Sequence, residues 1–435
     1  MVKDTVVLDL GSAIIKCGFA GESSPRHLLP SPLDDWSRQA ASRGWGSEEW
    51  TQSLGPLLVR LLVHCLHVRP SENKVLICEP LAGSTTFREA LAYVLFQWLR
   101  VPAIVMAPSL EMPLYTAGAE TGLVVDVGFR ESHVLAVVFG RPLLHTYAVV
   151  GMGALTLLDR ARELLESAAT AKKEGGCLSG QRGDRLPLEL LQDIVMRACF
   201  VVGKEDFQVD AEPIAYEEKG FKLTLTPELR TTVAEGLFAE SVDDGESLPI
   251  AVLECLRRCP RDVRRLLASH VLVSGGVAML PGFCPRLAEE VQQRARVRVR
   301  YQELCPLLLG HQGTSRAHEA LAPSAHAPSI PPPPTSSRAS PPSPSALCLV
   351  AGAALLAPRN VLAWVGGSIY AVLAETLPAD ASPFLFRGSY MTAVSTRGRS
   401  SQDSGEGQGG RVPVLQEGLS TAGGRDVLSD GSRDV

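Results

Sequence analysis

With 435 residues, 45% of them hydrophobic, the chain is long enough for two or three domains or for one large two-lobed α/β body. Its formal net charge is −5, with acids and bases interspersed along the sequence, which argues against a nucleic-acid-binding surface. The start, MVKDTVVLDLG, has neither the apolar region nor the cleavage site of a secretory signal, and the nearest candidate span, Ala346 to Ala357, falls short of the ~20 residues that cross a bilayer. The expectation is a soluble chain that stays inside the cell with its 10 cysteines reduced.

The first predicted element is a hairpin, "VVLDLGSAIIKCGFAG", from Val6 to Gly21. Its strands lack polar alternation, as strands buried on both faces do. From Leu33 to Pro70 the chain is polar at first, "DDWSRQAASRGWGSEEW". His64 and His67 sit one helical turn apart and read as helix surface or core edge. A helix is predicted after Thr86 and Glu89, which have the spacing of a capping box. Leu91, Val94, Leu95 and Trp98 fall on one face of it, and Pro102 stops it. Pro102 to Met106 reads as a strand. A second hairpin, "LVVDVGFRESHVLAVVFG" (Leu123 to Gly140), repeats the plan of the first: strand, Asp-x-Gly turn, strand ending in Phe and Gly. Two copies of one plan suggest two like lobes facing each other.

Further on, "PIAVLECLRRC" and "RDVRRLLASH" read as two helices, and "HVLVSGGVAMLPGF" as a buried strand running into two glycines. Cys255 and Cys259 lack a second Cys/His pair at zinc spacing, so they read as two thiols on one helical turn. From Cys305 to Pro358 the composition changes. "SIPPPPTSSRASPPSPS" has no place inside a helix or sheet, because proline lacks the N–H donor. A disordered insert is favoured there over a polyproline ligand for an SH3-type module. Residues 378–435, rich in Gly, Ser, Asp and Arg after Met391, read as a disordered tail.

The two hairpins carry the candidate chemistry. Backbone N–H groups at Gly11, Ser12 and Ala13 can converge into an anion-binding nest. Lys16 on the outgoing strand adds a point charge, and Asp9 can order water on a magnesium ion. One Asp-x-Gly turn alone is weak evidence. Two such turns followed by "VSGG" make a nucleotide site a serious candidate.

At this point the motifs resemble the actin family. "DLGSAIIKCGFAGESSPR" resembles its first phosphate loop, and "VPAIVMAP...LYTAGAETGLVVDVG" the approach to the second. "ECLRRCPRDVRRLLASHVLVSGGVAMLPGF" resembles the helix pair and adenosine loop, and "WVGGSIYAVL" (Trp364 to Leu373) the last family motif. The resemblance implies an actin-like two-lobed α/β fold of duplicated ribonuclease-H-like domains, with a disordered proline-rich insert and tail. Its body would span 3–304, with lobes at about 3–135 and 136–304, an insert at 305–358, and the last motif at 359–377.

Carried over position by position, the resemblance implies that Asp9, Gly11, Ser12, Ala13 and Lys16 form the first phosphate loop. Asp126 and Gly128 form half of the second, with His133 in the strand beyond, and Gly275, Gly276 and Met279 form the adenosine loop. It also implies losses. Phe129 stands where actin has a second acid, Arg130 where it has a glycine, and Ser109 where it has the glutamine that positions the attacking water. Val195 and Met196 replace a lysine and a glutamate beside the nucleoside. Arg130 could contact a phosphate or, as a surface arginine beside Glu131, make an exposed ion pair worth little. Whether a nucleotide stays bound is left open by these losses; the cofactor that the family implies is ATP or ADP with magnesium, hydrolysed weakly or not at all.

"FREALAYVLFQWLRVPAIVMAPS" and "GFRES" resemble the branch of the family found at the pointed end of dynactin's actin-like filament. That implies a non-catalytic capping subunit in the cytoplasm and cytoskeleton. Its partners would be that filament, the neighbouring pointed-end subunits and, indirectly, dynein. The shortness of Leu33–Pro70, where actin carries a loop that grips the next subunit, fits a cap. Two rivals stand beside it: an active ATPase or phosphotransferase of the actin, sugar-kinase and Hsp70-type superfamily, and a nuclear subunit of a chromatin remodeller. Phe129 and Arg130 speak against the first, and the lack of a basic import cluster against the second.

Overall fold

A computed structural model of the chain describes residues 3–394, apart from 82, 172–185, 205–211, 219–220, 240–246, 310–356 and 379. The first hairpin folds as read: β1 (Lys3–Leu10) and β2 (Ile14–Phe19) pair antiparallel, with Asp9 opposite Lys16. β3 (His27–Pro30) continues one edge, while β4 (Asn73–Glu79) and β5 (Ala103–Pro108) add in parallel on the other. Helices α2 (Ser47–Val59) and α3 (Thr85–Tyr93) cover one face of this sheet, and α12 (Leu362–Thr376) covers the other. Val6 and Leu8 therefore bury against the first pair of helices and Val7 against α12. Burial on both faces explains the unbroken apolar run.

The second hairpin, β6 (Gly122–Val127) and β7 (Ser132–Val138), sets Asp126 opposite His133. β12 (Val271–Ser274) lies parallel to β6, and β8 (Arg141–Pro142) and β9 (Ala148–Val150) pair with β7. A single large core joins this sheet to α5 (Ala154–Ala171), α6 (Leu188–Ala198), α7 (Pro227–Glu235), α8 (Leu248–Arg258), α9 (Arg261–Ser269) and α10 (Phe283–Val297). A two-stranded ribbon, β10 (Ile214–Glu218) and β11 (Phe221–Leu225), adds to it. Leu123, Val125 and Val127 enter that core, while Val124 joins Leu135 and Leu272 on the opposite face. By the two-residue period of a strand, Asp126 shares the face of Val124, as Asp9 shares that of Val7. Each lobe thus presents one carboxylate from an equivalent strand end.

The two halves meet at the short helix α4 (Met112–Thr116) and at α12. Met112 belongs to the cluster of Val7 and Trp364, and Leu114 to that of Val124 and Leu272. The glycines of "WVGGSIY" permit this contact. A Cβ on Gly366 would lie 1.8 Å from the Met112 carbonyl oxygen, and one on Gly367 would lie 2.6 Å from the Cys78 sulfur. Trp364 is fully buried, and its indole N–H donates to the Val7 carbonyl at 3.0 Å.

Several expectations change. Thr86 and Glu89 form no capping box: α3 begins at Thr85 after an extended Ser84, and no side chain caps it. Arg88, inside its first turn, instead holds Glu79 of β4 at 2.7 Å. Leu91, Val94 and Leu95 are buried as predicted, but Trp98 is half exposed. The helix widens into a π turn over Val94–Trp98, which carries Trp98 off the buried stripe and over Gly55 of α2. Leu33–Pro70 is helical, as α1 (Leu33–Arg43), α2 and a π turn at Arg60–Cys65. Trp45, Trp50 and Phe87 pack edge to face there, at 5.0 Å for each neighbouring pair.

The expected insert starts too early. Cys305–Leu309 forms α11, with Leu308 fully buried in the second core. Residues 310–356 lie outside the described residues. The expected tail also starts too early: β13 (Leu385–Phe386) pairs antiparallel with β5, and residues 387–394 form a helix, α13. Tyr390 of α13 stacks on Phe96 at 4.7 Å, with both rings buried. Tail residues beyond 394 lie outside the described residues. Among the described residues no helix is long and apolar enough to cross a membrane.

Candidate functional site

Lys16 is the charge at the centre of the site. Its ammonium donates to Asp9 Oδ2 at 2.6 Å, and both side chains are almost withdrawn from solvent. Burial acts to lower the Lys16 pKa, but the charge and hydrogen bond of Asp9, with Asp126 adding its field, hold it above the ordinary lysine value. A field from Asp126 on Lys16 brings the two hairpins to one place. Asp126 is anchored from β12, where Ser274 donates to its Oδ1 at 2.7 Å. Cys78 lies beside the pair, its thiol pushed well up by burial. Lys16 thus pairs with one carboxylate and feels the field of a second from the other lobe.

The first turn is tight. A Cβ on Gly11 would approach the Ile14 carbonyl oxygen to 2.6 Å, while Ser12 is exposed and Ala13 half-buried, its carbonyl accepting from Ser31 N–H at 2.9 Å. In the second turn Gly128 N–H closes onto the Glu131 carbonyl at 3.1 Å. The start of α5 occupies the outer carbonyls of that turn: Ala154 N–H donates to Gly128 and Leu155 N–H to Phe129, at 3.0 and 2.8 Å. Phe129 packs its ring on the edge of the second core.

Arg130 takes the second of its two expected roles, an ion pair. Its partner is Asp34 on α1, not the adjacent Glu131: Nε and Nη2 of one guanidinium edge both donate to the carboxylate, Nη2 reaching Oδ2 at 3.1 Å. Glu131 leans to His133 Nε2 at 3.5 Å, and His133 Nδ1 meets the Tyr147 hydroxyl at 2.9 Å. A fork-shaped pair therefore ties the turn of the second hairpin to the first lobe's α1. No sequence signal joins residues so far apart.

Ser109 sits half-buried after β5, its N–H donating to the Glu79 carbonyl at 2.8 Å. On the nucleoside side Gly275 has φ +99°, and a Cβ there would strike the Val127 carbonyl at 2.2 Å. Only glycine lets that strand end approach the second hairpin so closely. Its N–H donates to Arg359, whose side chain returns to the Val273 carbonyl at 2.6 Å. Arg359 was not singled out from the sequence, because its role depends on the chain returning after residue 356. Gly276 and Met279 are exposed. Val195 is buried in the second core and Met196 is 78% exposed on α6, so the pair does not present two side chains together.

Cys255 and Cys259 are buried on and just after α8, with Cys259 Sγ 3.1 Å from the Cys255 carbonyl. His64 and His67 are exposed. Sequence reading passed over Glu111, whose burial pushes its carboxyl up to about 7. Tyr115 and Tyr370 stand beside it with ring centroids 5.3 Å apart, and the Tyr370 hydroxyl is pushed up to about 12 by burial.

Comparison with known proteins agrees with this geometry. The family model described as Actin matches residues 48–174 and 192–308, more than half of the chain. Actin-related protein 10 of Dictyostelium discoideum is 24% identical over 359 residues, covering 68% of this chain and 74% of that protein. Actin-like protein 7A of Mus musculus is 26% identical over 322 residues, covering 67% and 71%. The family model covers more than half of the chain, and two like sheets, each with an Asp-x-Gly turn, are joined through α4 and the "WVGG" helix; this chain is a member of the actin family.

Proposed function

We propose that the chain is a non-catalytic actin-related subunit of dynactin that caps the pointed end of its actin-like filament and docks the neighbouring pointed-end subunits. In that role it supports dynein-driven transport along microtubules and resides in the cytoplasm with the cytoskeleton. The observation that carries the reading is the second turn, where Phe129 is committed to the core and Arg130 to Asp34. In-line hydrolysis needs a positioned water and charge compensation at the transferred phosphate. Neither residue is placed to supply the first, and Ser109 is too short to do so. The similarity to Actin-related protein 10 supports the assignment within the family. The helical Leu33–Pro70 segment supports a subunit without a long gripping loop.

The phosphate half of the site is retained in chemistry. Lys16 and the turn Gly11–Ala13 would hold phosphate oxygens, and Gly275, Gly276 and Met279 would border the nucleoside. Asp9 and Asp126 outweigh Lys16 by one charge, so a polyphosphate needs magnesium to offset them. ATP or ADP would bind weakly and persist unhydrolysed.

Affinity purification of the tagged chain tests the role: dynactin subunits should be recovered. Remodeller subunits in their place would replace this reading with a nuclear one. Phosphate release by the purified chain with magnesium-ATP should stay at background, and rapid turnover would overturn the non-catalytic assignment.

A further inference from the structure

We propose that the arginine-lined face built by α8, α9 and residues 297–303 is a docking surface for an acidic, partly apolar segment of a partner protein. The charges interspersed in the sequence are gathered here by the fold. Glu254 accepts from Arg257 at 2.6 Å, Arg258 at 3.1 Å and Arg300 at 3.1 Å. Glu303 holds Arg264 at 3.1 Å and Arg261 at 3.6 Å. Five guanidiniums thus share two carboxylates. Arg265 stands exposed one turn beyond Arg261.

The arginines are held in place before any partner arrives. Three of them hold the Glu254 carboxyl down to about 2, with the Arg257 hydrogen bond the largest influence. Arg264 also donates to the Cys259 carbonyl at 2.9 Å, which fixes the turn between α8 and α9. A fork already ordered loses little entropy when its outward N–H groups take a second carboxylate. Val297 and Val299 flank this charge at 73% and 80% exposure. Aliphatic anchors among arginines suit a protein segment. A nucleic-acid strand favours aromatic platforms, whereas Tyr301 is buried. This surface is independent of the nucleotide cleft and of the filament reading.

The test uses the purified full chain and a fluorescein-labelled peptide of alternating glutamate and leucine, read by fluorescence anisotropy at low salt. The wild-type chain should bind it. Arg261→Glu with Arg265→Glu should weaken binding roughly tenfold, and Val297→Ser with Val299→Ser severalfold at salt that screens charge. All four positions are exposed or edge residues, and unchanged thermal melts would confirm that the variants fold. The proposal is overturned by failure of the wild type to bind or by unchanged affinity in both variants. It is equally overturned by equal binding of a glutamate–serine peptide, or by tighter binding of single-stranded RNA or phosphatidylserine vesicles than of the peptide.

Discussion

Lys16 shows how a single residue ties stability to the inherited site. Its burial is tolerated because Asp9 meets it at 2.6 Å and Asp126 contributes from the other lobe. Changing one partner of a buried pair strands the other, so Lys16→Met should cost about 3 kcal/mol of unfolding free energy. Adding Asp9→Asn should restore part of that loss, as urea titration of the three proteins would show. Glu111 makes the opposite case, a largely buried carboxyl with no ion pair among the described residues. With its folded pKa raised to about 7 from the ordinary 4.5, it favours the folded state fully below the unfolded value. That contribution falls as pH rises through about 7 and is flat above. Discounting for its partial exposure, the span is worth about 2 kcal/mol. Glu111→Gln should therefore flatten the decline in stability between pH 5 and pH 8, as measured by urea midpoints. An unchanged slope would assign the decline to other groups.

The elements differ in how far local sequence determines them. Both hairpins were legible because an unbroken apolar strand with Asp-x-Gly at its end leaves few alternatives, and the paired register follows. The helices after Pro249 and Arg261 were legible from period and proline punctuation. The start of α3 was not, since Ser84, Thr85 and Thr86 offer competing caps and the Arg88–Glu79 pair forms across 9 residues. Residues 385–394 read as tail because a two-residue strand and a short helix carry no local signal. Their stability comes from the open edge of β5 and the ring of Phe96. That dependence can be measured. Tyr390 is 4% exposed and stacked on a fully buried Phe96, so Tyr390→Ala should destabilise the first lobe by about 3 kcal/mol. Amides of β5 and of the π turn at Val94–Trp98 should then exchange faster by hydrogen–deuterium exchange, while those of β6 and β7 should not. Uniform acceleration would mean that the lobes unfold as one unit.

At the scale of the molecule, the lobes touch through α4, α12 and the cleft that holds Lys16, and the Arg130–Asp34 fork adds a tie outside that cleft. Of the cleft, the glycines and aspartates were legible as motifs. The tie was not, since its two halves have no common pattern and meet only when both lobes are folded. A partly exposed pair contributes little stability, about 0.5 kcal/mol, so its weight falls on the separation of the lobes and on the field at the second turn. Phe129→Asp with Arg130→Gly removes that tie and returns a carboxylate to the turn, at a cost of about 2 kcal/mol from the lost ring contact. If the turn is what limits nucleotide binding, the double variant should bind magnesium-ATP roughly tenfold more tightly by calorimetry, and chelation of magnesium should abolish the gain. Asp34→Asn separates the two causes, because it breaks the fork and leaves Phe129 and Arg130 in place. A gain in the double variant alone would assign the deficit to the missing acid, and a gain in both to closure of the lobes. No gain in either would move the deficit to the nucleoside side, where Val195 is buried in the core and Met196 faces solvent.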